Sequence, residues 1–276
     1  IIAPIKIFGM LPGAFLITWI FSKFCNRFSH KKAFHLMISL FLAYFIIFIT
    51  ILYPAREALQ LDSLNTYLLS ISPKGIKGTI AMLHYWPLTG FYIMSELWSS
   101  MVMSVLCWGF ANEITRVNEA KRSYGFYGII ANLAGISAGY LSNAFNSMPF
   151  TPAFPFGQTS MDQTVYFIMT LVILNGFLIM AVHLWMHKNV LTDSRFAISQ
   201  EESVDCKKKK KPKLSMRETF RYLLNSSYAM RLAIIVIAYN VVINLLEILW
   251  KDKVRALYPE PSTYFAYMND VTIWTA

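Results

Sequence analysis

The chain has 276 residues, 56% of them hydrophobic and only 14% charged, with a mean hydropathy of +0.45; this excludes an ordinary soluble domain and marks a membrane protein. Lys and Arg number 25 against 15 acids, but the cations fall between apolar segments rather than along one face, which reads as loop charge and argues against nucleic-acid binding. Three cysteines, Cys25, Cys107 and Cys206, cannot all pair and have no metal-ligand spacing, so free thiols are expected.

Six segments hold the 20 or so predominantly apolar residues that a membrane span needs: 1–22, 34–53, 82–111, 123–146, 164–186 and 231–250. The chain begins Ile1-Ile2-Ala3-Pro4, with neither initiator methionine nor signal peptide, and stops at Trp274-Thr275-Ala276 where the sequence is turning apolar, so both ends are expected to be cut. The first segment carries one charge, Lys6, between Pro4 and Pro12. The second is free of Asp, Glu, Lys and Arg from Ala33 to Ala55. The third contains Glu96, flanked by residues 78–95 and 97–112 without another charge. The fourth is Gly-rich and includes Gly135-Ile136-Ser137-Ala138-Gly139, a spacing of small residues that lets two membrane helices approach closely. The fifth is charge-free from Gln163 to His187, and the sixth carries Glu247 four residues before Lys251.

Basic residues alternate in density between these segments. Lys23, Arg27, Lys31 and Lys32 follow the first, Arg116, Lys121 and Arg122 the third, and Lys188 through Arg221 the fifth; residues 147–163 hold no Lys or Arg. The positive-inside rule therefore places the three rich loops in the cytoplasm, and puts Lys251, Lys253 and Arg255 outside. Residues 187–230, with Glu201, Glu202, Asp205 and the run Lys207 to Lys211, read as a solvated cytoplasmic linker between an N-terminal helical half (1–186) and the start of a second half (231–276). Such a layout fits transporters built from two six-helix halves: an all-α membrane protein with about six of an expected twelve spans.

Of the charges inside the spans, Glu96 is the most informative. A carboxylate at that depth costs roughly 2.5 kcal/mol or more on insertion scales, so it is expected to face a bundle interior or a water-filled path. Lys6 admits two readings, a functional cation or an end-of-helix lysine snorkelling to the headgroups. Glu247 is open between a site residue and an i to i+4 ion pair with Lys251. Five histidines, His30, His35, His84, His183 and His187, suggest no site; His183 and His187 are four apart, but no third metal ligand is near in sequence. Neither a metal nor a cofactor is expected. Catalytic signatures are absent too: the sequence has no phosphate loop, nucleophile elbow or HExxH.

Specific strings then match a known family. Phe91-Tyr92-Ile93-Met94-Ser95-Glu96-Leu97-Trp98-Ser99-Ser100, followed by Trp108-Gly109-Phe110-Ala111-Asn112-Glu113-Ile114-Thr115, resembles the signature of the ADP/ATP translocases, the nucleotide transporters of plastids and obligate intracellular bacteria. Glu119-Ala120-Lys121-Arg122, Ala131-Asn132-Leu133-Ala134, Trp185 to Asp193, Ala238-Tyr239, Ile243-Asn244-Leu245-Leu246-Glu247 and Trp250-Lys251 are similar to later parts of it. The resemblance implies a major-facilitator-like bundle of twelve helices and exchange of ATP for ADP. It implies substrate contacts at Lys6, Glu96, Glu247, Asn132 and Asn244, with a further lysine beyond Ala276, and residence in the inner membrane of an intracellular bacterium or in a plastid envelope. The alternatives are a proton-coupled or other-nucleotide importer of the same family and, from another class, a membrane-embedded enzyme or receptor. Ser99 stands where the family usually has glycine, Glu113 where glutamine is common and Asn240 where glycine is frequent.

Overall fold

The computed structural model describes residues 2–115, 117–191 and 225–276. The Lys207–Lys211 run, Cys206 and most of the expected linker lie outside the described residues. Helix α1 spans Ile2–Arg27 and α2 His30–Leu52. Two short helices follow, α3 (Asp62–Ile71) and α4 (Lys77–His84), then α5 (Trp86–Ile114) and α6 (Val117–Asn146). After a loop come α7 (Ser160–Val190), α8 (Ser227–Leu257) and α9 (Pro261–Thr275). Among the described residues there is no strand.

Proline chemistry shapes the long helices. Within α1, residues Ile5–Met10 form a widened π turn just before Pro12, whose missing N–H and bulky ring disfavour a regular turn against the Phe8 carbonyl. The same device closes α2: Phe48–Leu52 is π-helical, the Tyr53 N–H donates to the Phe48 carbonyl at 2.8 Å, and Pro54 ends the helix. Pro87 sits in the first turn of α5, where its absent N–H costs nothing.

The core is built around α2. Phe41, Phe45 and Phe48 are almost fully buried, and they cluster with Ile17 of α1, Leu97, Met101, Val102 and Leu106 of α5, and Met169 of α7. Trp98 meets Phe41 and Phe45 edge-on at 5.6 Å, and Phe48 stacks on Phe91 at 4.2 Å. Helix α7 comes close enough to α2 at Gly176 that any Cβ there would overlap Leu42. With lipid as apolar as leucine, such interlocking contacts rather than water exclusion hold membrane helices together.

Polar bonds fix both sides of the loop before α7. Gln163 pairs with the Thr151 backbone through both amide atoms, at 3.0 and 2.9 Å. Asp162 completes a capping box with Thr159 at the start of α7. Its Oδ1 also accepts from the Tyr53 hydroxyl at 2.8 Å and from Arg56 at 2.9 Å, and its Oδ2 from the backbone N–H groups of Gln158 and Thr159. The Arg56 guanidinium lies over the Tyr53 ring, 4.4 Å from its centroid. Burial first, then the Asp162 acceptor, pushes the Tyr53 hydroxyl above the usual phenol range, so it stays a donor.

Among the described residues five helices, α1, α2, α5, α7 and α8, are long and apolar enough to cross a membrane, and the chain is a multi-pass integral membrane protein of all-α class. The fourth expected span, 123–146, is helical throughout as part of α6 but falls short in apolarity. Its polar residues account for the difference, because they bond to α9. Asn143 Nδ2 donates to Asp270 at 2.7 Å, Asn269 donates to Asn143 Oδ1 at 2.9 Å, and Asn146 donates to the Ser262 carbonyl at 3.1 Å. The small-residue stripe is where α9 seats: a Cβ at Gly139 would lie 2.5 Å from Ile273, and one at Gly135 3.0 Å from Ala276.

Candidate functional site

Three of the residues that the sequence singles out meet between α1 and α8. Lys6 Nζ lies 2.5 Å from Glu247 Oε2 and donates to Asn244 Oδ1 at 2.7 Å. The Lys6 side chain is only 10% exposed. It projects from the widened turn of α1, a backbone irregularity often found at functional sites. The Asn244 amide is oriented by its own Nδ2, which donates to the Asn240 carbonyl at 2.8 Å, leaving Oδ1 for Lys6.

Glu247 is shared. Its other oxygen, Oε1, is 2.6 Å from Lys251 Nζ, so the i to i+4 pair and the contact with Lys6 coexist, one on each carboxylate oxygen. The sixth segment extends past residue 250, because Lys251, Lys253 and Arg255 belong to the helical residues of α8. A lone ammonium in a low-dielectric setting costs several kcal/mol even after relaxation. Here Glu247 and Asn244 meet that cost for Lys6.

Glu96 stands on α5, roughly 15 Å along the helix from Trp86 by the α-helical rise. Among the described residues it forms no ion pair. The Tyr92 hydroxyl, one turn earlier, is out of solvent and makes no hydrogen bond of good geometry. Glu96 is nevertheless close enough to act on it, and Glu247 and Tyr264 are within electrostatic reach. Tyr92 thus links Glu96 to the α1–α8 contact. Lys6 and Lys251 against Glu96 and Glu247 make a charge-balanced group, two of each sign.

Asn132 does not join this group. It is exposed on α6, and none of its hydrogen bonds reaches Lys6, Glu96 or Glu247 among the described residues. Conversely, the sequence reading overlooked Tyr92 and Tyr264. The i to i+4 spacing of Tyr92 and Glu96 was a usable signal for the first, whereas Tyr264 has no local signature, since only the packing of α9 brings it near. Among the described residues no set of three or more His, Cys, Asp or Glu side chains could hold a metal ion.

A grouping of cations and carboxylates between membrane helices suits a charged cargo better than bond-breaking chemistry, and the comparisons with known proteins agree. The chain is 38% identical over 271 residues to the ADP,ATP carrier protein 1 of Chlamydia muridarum, covering 98% of this chain and 50% of that protein. It is 34% identical to the ADP,ATP carrier protein 2 of Chlamydia pneumoniae, covering 99% and 51%, and 34% identical to the ADP,ATP carrier protein 1 of Rickettsia typhi, covering 97% and 52%. It therefore spans about half the length of the curated relatives it matches. No solved structure matches it. Residues 1–276 match the family described as TLC ATP/ADP transporter along their whole length, and the chain belongs to that family of transporters.

Proposed function

We propose that the protein carrying this chain exchanges ATP for ADP across a membrane, expected to be a bacterial inner membrane, and that Lys6, Asn244, Glu247 and Glu96 contact the nucleotide. The observation that carries the mechanism is the division of Glu247 between two lysines. When a phosphate oxygen replaces Glu247 on Lys6, Lys251 still compensates the carboxylate. No buried charge is stranded, a fault that typically costs about 3–5 kcal/mol. Asn244 then keeps a hydrogen-bond acceptor on Lys6 through the change of partner. The names of the relatives, ADP,ATP carrier proteins, support the choice of cargo. Asn132, apart from this contact group, enters as a substrate residue only through the family resemblance.

Glu96 favours a second reading. Its place in an apolar helix, without an ion pair among the described residues, also fits a proton-coupled importer of the same family.

The test uses the full-length protein in proteoliposomes. Labelled ATP entering only vesicles preloaded with ADP supports exchange; uptake into empty vesicles driven by a pH gradient supports the second reading, and no nucleotide flux sinks both. Lys6→Gln removes a charged hydrogen bond worth about 1.5–3 kcal/mol. It should weaken nucleotide binding roughly 10- to 100-fold. Lys23→Gln, at an exposed lysine that packs over Trp19, should change it by less than about twofold, corresponding to the small effect of most surface substitutions. Equal effects of the two substitutions would remove Lys6 from the site.

A further inference from the structure

A second region has ligand-site character, at the opposite end of α1 from Lys6. A cavity of about 520 Å³ opens where α1 ends, α2 begins, and α5 and α7 end, within the size range of ligand clefts. Lys31 and His30 line it from α2, Phe110, Asn112 and Glu113 from α5, and His183 and His187 from α7. Its aromatic wall is ordered: Phe34 stacks on His183 with ring centroids 3.9 Å apart, and Phe110 tilts towards His183 at 4.8 Å and His187 at 5.7 Å. His183 Nδ1 lies 3.1 Å from His35 Nε2, which fixes its ring from behind. Phe110 itself is half-buried, and beside it Gly109 has nothing within 4 Å of where a Cβ would stand.

The surroundings favour an anion. Lys23, Arg27, Lys31 and Lys32 cluster around the α1–α2 turn, and Lys188 follows His187. Such a one-signed rim focuses negative solutes. The lining itself adds a flat aromatic platform, a carboxylate in Glu113 and an amide in Asn112, whose Oδ1 already accepts from Tyr124. A cation with a carboxylate beside half-buried aromatic surface matches a purine nucleotide: the ring lies on Phe110, the exocyclic amine donates to Glu113, and the phosphates meet Lys31 and His30. The basic rim alone would also attract anionic lipid headgroups, but those have no use for the platform or for Glu113.

We propose that this cavity is a staging subsite for a purine nucleotide at the basic-loop end of the bundle, separate from the Lys6–Glu247 contact. The inference rests on the nucleotide-carrier reading above. It is tested on the full-length protein with 8-azido-ATP, followed by mapping of the photolabelled peptides, in wild type and in Lys6→Gln. The expected result is label on 109–113 or 183–187, displaced by ATP and reduced less than twofold by Lys6→Gln. Phe110→Leu and Glu113→Ala should each reduce that label about tenfold, the loss of one charged hydrogen bond or of one base-stacking contact. Two variants at exposed or half-exposed positions guard against a folding defect in either one. Exchange-competent protein with no label there overturns the subsite and leaves the carrier reading standing. Displacement by phosphatidylglycerol vesicles but not by ATP assigns the cavity to lipid and likewise overturns it. Absence of any exchange removes the reading on which it rests, and the subsite with it.

Discussion

Asp162 and Glu96 are both acids on long apolar helices, and their surroundings are opposite. Asp162 sits at the first turn of α7 and accepts from Tyr53, Arg56 and two backbone N–H groups. Glu96 sits well inside α5 with no cation bound to it among the described residues. A carboxylate whose lone pairs are all engaged is part of the scaffold, because changing its partner would unmake a helix start and a helix–helix junction together. A carboxylate left with unused acceptor capacity near Tyr92 can serve a solute that comes and goes. The same division separates two regions of the molecule. The α2–α7 junction is locked by the Asp162 hub at one end and by Gly176 against Leu42 along its length, whereas the α1–α8 seam is held by charges that can change partners.

The comparison breaks most easily at the hub. Asp162→Ala removes the capping box of α7 and leaves Arg56 and the Tyr53 hydroxyl without their acceptor. Losing one member of a buried pair costs about 3–5 kcal/mol, and Arg56, 26% exposed, can recover some of this from water. A loss of about 3 kcal/mol is expected, read as a lower melting temperature of the detergent-solubilised protein. An unchanged melting temperature would show that the hub is ornamental.

Phe41→Ala ranks next. The ring is fully buried and meets Trp98 of α5 edge-on. In soluble cores this truncation costs about 3–5 kcal/mol, but part of that value is transfer from water, and the lipid that surrounds these helices is as apolar as the core. A loss of about 2 kcal/mol is expected, with ADP/ATP exchange per folded molecule retained. A fall in exchange without a fall in stability would move α2 into the transport machinery.

Much of this was readable in the chain. Lengths of apolar sequence marked six spans, among them the five membrane-competent helices, and isolation from other charges singled out Glu96, whereas Lys6 and Glu247 stayed open between a site role and a structural one until the family resemblance pointed to all three. What composition could not supply was partnership. Lys6 and Glu247 are 241 positions apart, so their contact depends on how α1 lies against α8. His35 and His183, 148 apart, gave no sign in the sequence that they would meet. For α6 the difference is of another kind: its Asn and Gly residues lower its apolarity, and their role is visible only when α9 lies against them.

The smallest effect on stability is expected at Glu96, and it discriminates best. Glu96→Gln keeps the shape of the side chain and its capacity to accept a hydrogen bond while removing the charge. Were Glu96 a scaffold acid like Asp162, the change would strand a cation and the melting temperature would drop as it should for Asp162→Ala. Among the described residues no cation is bound to it, so nothing is stranded, and relieving an unpaired carboxylate in an apolar helix should leave the melting temperature unchanged or slightly higher. Exchange has the opposite expectation. In the seam, the balance of two positive and two negative charges becomes an excess of one cation, which holds the anionic nucleotide more tightly and slows its release. Full-length Glu96→Gln should therefore insert and melt like wild type, bind nucleotide at least as well, and lose most exchange. Normal exchange would leave Glu96 without a part in transport, and a melting temperature as low as that of Asp162→Ala would erase the distinction between the two acids.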